Sequence, residues 1–221
     1  IKIANENAVN NILAELKGKE FIVDKVLKKT IKKNPLPPFT TSKLQQEAIR
    51  KLRFSAKKTM LIAQQLYEGI DVGPGQPVHR LPSMRTDSTR IAKEAADEAL
   101  QLISEKFGHE YVLQEPRFFK NRKKAQDAHE AIRPTSVYHT PENLTPYLSK
   151  DQMALYRLIW QRFVASQMPQ ALIDQVTVSI HADAYIFTAS GSSVKFAGFM
   201  KLYMSVDDEI ESESRRKKPV L

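Results

Sequence analysis

Ser83-Met84-Arg85-Thr86-Asp87-Ser88-Thr89-Arg90 lies between a loop rich in glycine and proline and a long helical pattern. Thr86, Asp87 and Ser88 are all good N-cap residues, so the spacing predicts a helix opening at this point. A helix start is an anion site, because its first backbone N–H groups are unpaired and its dipole favours negative charge. Arg85, just outside, has the guanidinium fork that matches a phosphate. Taken alone, the same residues also describe a capped helix beside a solvated arginine.

Downstream, Ile91, Ala95, Ala99, Leu102 and Ile103 make one helical face, and Gly108 stops it. Upstream, Gly73, Pro74, Gly75, Pro77 and Pro82 make residues 71–82 an irregular loop. Before that loop, Ser42-Lys43-Leu44-Gln45 reads as a capping box opening one helix. Ser55 caps a second, which ends at Gly69. Pro35-Leu36-Pro37-Pro38 marks a domain boundary. The chain opens with an amphipathic helix on Ala8, Val9, Ile12, Leu13 and Leu16, followed by a strand from Phe21 to Ile31. That strand ends in Lys28, Lys29, Lys32 and Lys33, which fit a protected sheet edge better than a DNA-facing stripe.

After residue 108 the chain is irregular and carries Arg117, Lys120, Arg122, Lys123 and Lys124, either phosphate contacts or a solvated loop. Helix starts recur at Thr140-Pro141 and Ser149-Lys150-Asp151-Gln152. Tyr156, Ile159, Trp160, Phe163 and Val164 then form a face in which Trp160 reads as core. From Val176 the pattern alternates. Strands are predicted around Val176–Ile180, Tyr185–Ala189 and Val194–Met200, with Ser190-Gly191-Ser192 as a turn. These strands supply the partners that Phe21–Ile31 needs, since a lone strand is unstable. The fold class is therefore α+β, a helical domain (39–169) inserted into an antiparallel β domain made from 1–38 and 170–221. The tail from Asp207 is a charged run ending in Arg215-Arg216-Lys217-Lys218.

The 221 residues carry 34 Lys+Arg against 25 Asp+Glu, a net charge of +9, which favours a polyanionic partner. The absence of cysteine excludes a disulfide framework and a Cys-based zinc site. No run of residues has the length and apolarity of a signal peptide or membrane span, and a cytoplasmic protein is expected. A first residue other than Met suggests a piece of a longer protein.

Three blocks in order carry a family resemblance: Leu66-Tyr67-Glu68-Gly69-Ile70-Asp71, Met84-Arg85-Thr86-Asp87-Ser88, and His129-Glu130-Ala131-Ile132-Arg133-Pro134. With Pro38-Phe39-Thr40-Thr41-Ser42 and Leu158-Ile159-Trp160, they resemble the central part of bacterial type IA DNA topoisomerases. The resemblance implies a nucleophile-bearing helical domain joined to a β arch. It also implies an isomerase that relaxes negatively supercoiled DNA by cutting one strand through a 5′-phosphotyrosyl link, passing a strand and resealing. The family reads Gly-Leu-Ile-Thr-Tyr where this chain has His79-Arg80-Leu81-Pro82-Ser83, with no change of length. Ser83 thus stands at the position of the catalytic tyrosine, and Tyr67 and Tyr111 are read as structural.

The resemblance assigns Arg85 and His129 to the scissile phosphate, and Arg85, Thr86, Asp87, Ser88 and His129 to DNA contact. Glu130 and Arg133 are read as a structural ion pair. Mg²⁺ is expected in a TOPRIM domain outside this chain, and no metal or other cofactor within it. The expected partner is a single-stranded segment of DNA in the bacterial nucleoid, bound by a monomer without a membrane. By itself the chain is expected to be inactive. The alternative is a non-catalytic module that binds single-stranded DNA or serves as a structural gate.

Overall fold

The computed structural model describes residues 5–71, 81–120 and 129–204. His79, Arg80, the loop glycines 73 and 75, Arg122, Lys123, Lys124 and the charged tail lie outside the described residues. The chain divides into two compact units. One holds residues 1–32, 172–195 and 211–221; the other holds 33–171 and 196–210.

Among the described residues, the first unit is a three-stranded sheet with one helix. Helix α1 (Glu6–Leu16) is capped by the Asn5 side chain, which accepts from the Ala8 N–H at 2.9 Å. Strands β1 (Ile22–Lys33), β2 (Ala171–Ala182) and β3 (Tyr185–Phe196) lie in the order β1-β2-β3. Thr30 bonds Asp174 and His181 meets Asp24, so positions on β1 rise as those on β2 fall, and the pair is antiparallel. A two-residue turn joins β2 to β3, with Asp183 at φ +55, a region that aspartate tolerates. β1 is an edge, and its lysines suit it to that place.

Ser190-Gly191-Ser192 does not turn the chain. These residues run through the middle of β3, because β2 offers twelve residues of pairing and none of the three is forced out of it. Nor does the strand continue to Met200: it ends at Phe196, and Gly198–Lys201 is a 3₁₀ turn.

The second unit is helical. Helix α2 (Thr41–Glu47) runs into a single π-helical turn (Ala48–Leu52), which Arg53 ends at φ +59. Helix α3 (Ala56–Glu68) is capped by Ser55 and closed at Gly69. Helices α4 (Lys93–Phe107), α5 (Pro141–Leu144) and α6 (Lys150–Ser166) follow. Ser149 and Gln152 form the reciprocal capping box at the start of α6, as their spacing requires.

From Leu155 to Ser166 helix α6 is buried on nearly all sides, including Tyr156, Ile159, Trp160 and Phe163. A helix apolar on most of its circumference belongs at the centre, and α3 and α5 pack against it. The Trp160 indole, also core, donates to the Val137 carbonyl at 2.8 Å. Two predicted starts are displaced. The N-cap of α2 is Thr40, whose hydroxyl accepts from Lys43 N–H, rather than Ser42. Helix α4 begins at Lys93 behind an uncapped Ala92, not at Thr86–Ser88.

Candidate nucleic-acid site around Arg85

In the stretch before α4 the backbone bends at positions 82, 84, 85 and 87, and burial alternates from Met84 to Ser88. Met84, Thr86 and Ser88 are buried, whereas Arg85 and Asp87 are exposed and Ser83 is half-buried. Arg85 and Asp87 are the outward positions, with Ser83 partly exposed before them. The hydroxyls expected to cap a helix instead bond to backbone two residues on. Ser88 N–H donates to Thr86 Oγ1 at 3.0 Å, and Arg90 N–H donates to Ser88 Oγ at 3.1 Å. Such turns compete with helix, and here they take its place.

Backbone bonds braid three sequence blocks together. Thr41 N–H donates to the Thr86 carbonyl at 2.9 Å, and Ala131 N–H to the Arg90 carbonyl at 2.8 Å. Ile132 N–H donates to the Phe39 carbonyl at 2.8 Å in an antiparallel bridge. Leu81 N–H ties the entry of the segment to the Leu66 carbonyl at the end of α3. The anion-binding helix start predicted for residues 86–88 is thus absent. The segment leans on the start of α2, whose first N–H would otherwise lack an intrahelical partner.

Among the described residues, Ser83, Arg85 and Asp87 make no side-chain hydrogen bond or ion pair with protein. Arg85 therefore presents an uncommitted guanidinium on the surface, two residues from position 83. Thr86 and Ser88 point inward and serve the backbone. His129 is exposed, two residues before the bond from Ala131 to Arg90. Glu130 and Arg133 do form an ion pair, at 2.7 Å. Arg133 also donates to the Pro134 carbonyl at 3.0 Å, a buried clamp that shapes the chain after His129.

Arg117, the first of the basic loop residues, has a structural task. Its guanidinium donates to the carbonyls of Ser166 and Met168, at 3.2 and 2.7 Å, where α6 leaves its last carbonyls unpaired. Burial lowers its pKa from the ordinary arginine value. Lys120 is exposed.

Two features escaped sequence reading. The Thr41 hydroxyl touches backbone on both sides of Arg85. Its only sequence signal is a Thr-Thr-Ser cluster, which reads as capping. The second is a buried polar group beneath α2. Tyr203 hydroxyl donates to Glu47 at 2.8 Å and accepts from Arg162 at 3.1 Å, while Arg162 Nε donates to the Pro37 carbonyl at 2.7 Å. These partners are distant in sequence, and no local pattern announces them.

Among the described residues no three His, Cys, Asp or Glu side chains gather so as to hold a metal ion. No helix among the described residues is long and apolar enough to cross a membrane.

Residues 1–220 match the family model described as DNA topoisomerase. The fold matches full-length topoisomerase I from Thermotoga maritima with a TM-score of 0.78 and 39% sequence identity, over 94% of this chain and 33% of that one. The chain thus spans about a third of the length of that protein. Coverage of nearly every residue by the family model, joined to that identity and fold, shows that the chain belongs to the DNA topoisomerase family, in its bacterial type IA branch.

Proposed function

We propose that this chain is the part of a type IA topoisomerase that grips the phosphate to be cut, with position 83 as the place of attack. The observation that carries the reading is the exposed Arg85 guanidinium, without a protein partner among the described residues and two residues from the partly exposed Ser83. Two residues of chain span at most about 7 Å, within reach of a side chain and a guanidinium meeting at one phosphate. Arg85 would donate to the non-bridging oxygens and stabilise the charge that builds there. Asp87 and His129 flank that phosphate in this reading, while Thr86 and Ser88 bond to backbone and shape the segment.

In the family's reaction a tyrosine oxygen bonds to phosphorus and the bond to the 3′ oxygen breaks. That oxygen takes up a proton and leaves as a hydroxyl. Resealing reverses each step, and the ester keeps the bond energy, so no ATP is needed. A phenol, with a pKa of about 10, is a fair nucleophile and a good leaving group. A serine hydroxyl is shorter and far less acidic. This chain is therefore proposed to hold DNA without cutting it, and to lack relaxation activity alone. The Mg²⁺ of the family is assigned to a TOPRIM domain elsewhere, and single-stranded DNA is the proposed ligand. A non-catalytic gate module is the second reading, favoured by Ser83 itself.

Covalent trapping tests both. The full-length protein carrying this stretch, and its Ser83→Tyr variant, would be incubated with 3′-labelled single-stranded DNA and denatured. The variant is expected to shift the label as a covalent adduct and the parent is not. A serine-linked adduct from the parent would overturn the inactive reading. A Ser83→Tyr protein that binds DNA but forms no adduct would remove position 83 as the place of attack.

A further inference from the structure

We infer that Thr41 is the positioning residue for Arg85, acting through the backbone on either side of it. The inference rests on the proposed phosphate role of Arg85. Thr41 Oγ1 lies 3.1 Å from the Met84 carbonyl and 3.2 Å from the Thr86 carbonyl, and it accepts the Thr86 N–H at 2.8 Å. Thr41 N–H donates to the same Thr86 carbonyl. One hydroxyl therefore engages both flanks of Arg85 and leaves that residue's own side chain turned outward.

The clasp has a firm base. Thr41 is the first residue of α2, and Thr40 before it caps that helix. Phe39, one residue further back, is fully buried, bridged to Ile132 and covered by the Arg162 guanidinium at 4.7 Å. A hydroxyl mounted there has little freedom to follow the segment if it drifts. Removing it leaves the largely buried Thr86 without a partner for its N–H, and frees the peptide planes that aim Arg85. A serine keeps the bonding oxygen; valine keeps the shape and loses it.

The test is single-strand DNA binding by the full-length protein across a salt series, for Thr41→Val, Thr41→Ser, Arg85→Ala and the Thr41→Val/Arg85→Ala double variant. Loss of one phosphate contact lowers the slope of log affinity against log salt by about 0.7. Arg85→Ala is expected to lower it by that amount, and Thr41→Val to do most of the same with a several-fold loss of affinity. The double variant should be no weaker than Arg85→Ala alone, and Thr41→Ser should bind within about twofold of the parent. Melting temperature is followed throughout, and Thr41→Ala replaces Thr41→Val if the latter does not fold.

A slope lowered by Arg85→Ala but not by Thr41→Val overturns the clasp and leaves the phosphate role standing. Full additivity in the double variant does the same. An Arg85→Ala slope equal to that of the parent overturns the phosphate role, and the positioning of Arg85 falls with it.

Discussion

The guanidinium of Arg162 lies 4.7 Å above the ring of Phe39, on the same side chain that donates to the Pro37 carbonyl. Arg162 and Glu47 are both buried, and the Tyr203 hydroxyl stands between them. Removing one charge from such a group leaves the other uncompensated, a cost of about 3 kcal/mol. Arg162→Met is expected to destabilise the protein by that amount in urea unfolding. Arg162→Lys should recover little, because an ammonium cannot stack and fork at once. A loss below about 1 kcal/mol would show that the group is not holding α2 in place.

Alkali should weaken the fold through two tyrosines. Burial holds the hydroxyls of Tyr156 and Tyr203 well above the ordinary tyrosine value of 10.0; beside Tyr203, Arg162 opposes this and Glu47 adds to it. Above pH 10 the unfolded chain gives up these protons while the folded chain keeps them, so the unfolded state gains. The stability they contribute is complete below that pH and falls above it, by about 1.4 kcal/mol per pH unit for each tyrosine. Urea unfolding between pH 9 and 11 reads the slope, and Tyr203→Phe should flatten it.

The 3₁₀ turn after β3 depends on one glycine. Gly198 has φ +50, and a Cβ there would stand 2.5 Å from the carbonyl oxygens of Pro169 and Gln170. Backbone atoms cannot move aside as a flexible side chain can. Gly198→Ala is expected to cost about 2 kcal/mol or more. Gly191→Ala, with nothing within 4 Å of the new carbon, should leave stability unchanged or raise it by about 0.5 kcal/mol. Thermal melts of the two variants separate the cases directly.

The displaced cap of α2 gives a second paired comparison. Thr40→Ala should cost about 1 kcal/mol, the usual worth of an N-cap. Ser42→Ala, at an exposed position that meets only the Thr40 hydroxyl at 3.3 Å, should stay within about 0.5 kcal/mol of the parent. Equal losses would mean that both hydroxyls share the helix start.

Where signals are local, the sequence is readable. The Ser149–Gln152 capping box, the Ser55 cap, the Gly69 and Gly108 stops and the buried face around Trp160 all stand as their spacing predicts. The failures share a cause. Thr86 and Ser88 have the same hydroxyls whether they cap a helix or bond two residues on, and a partner forty-five residues away decides between them. Ser190-Gly191-Ser192 has turn composition, yet twelve residues of β2 alongside keep it extended. The flanks of position 83 carry the family resemblance, and the family model and the fold match bear that out. That Arg85 is exposed while Thr86 and Ser88 are buried is legible only from the fold. The clasp from Thr41 has no local trace at all.

Thr30 on β1 meets Asp174 on β2 across 144 residues of chain. During synthesis β1 leaves the ribosome long before β2 exists to pair with it. For that interval its backbone donors and acceptors stay open, beside Ile22, Val23, Val26 and Leu27, which are exposed even in the finished sheet. Lys25, Lys28, Lys29 and Lys32 ride on the same strand. Their charge would deter a neighbouring nascent chain from pairing there first, a safeguard for the waiting strand.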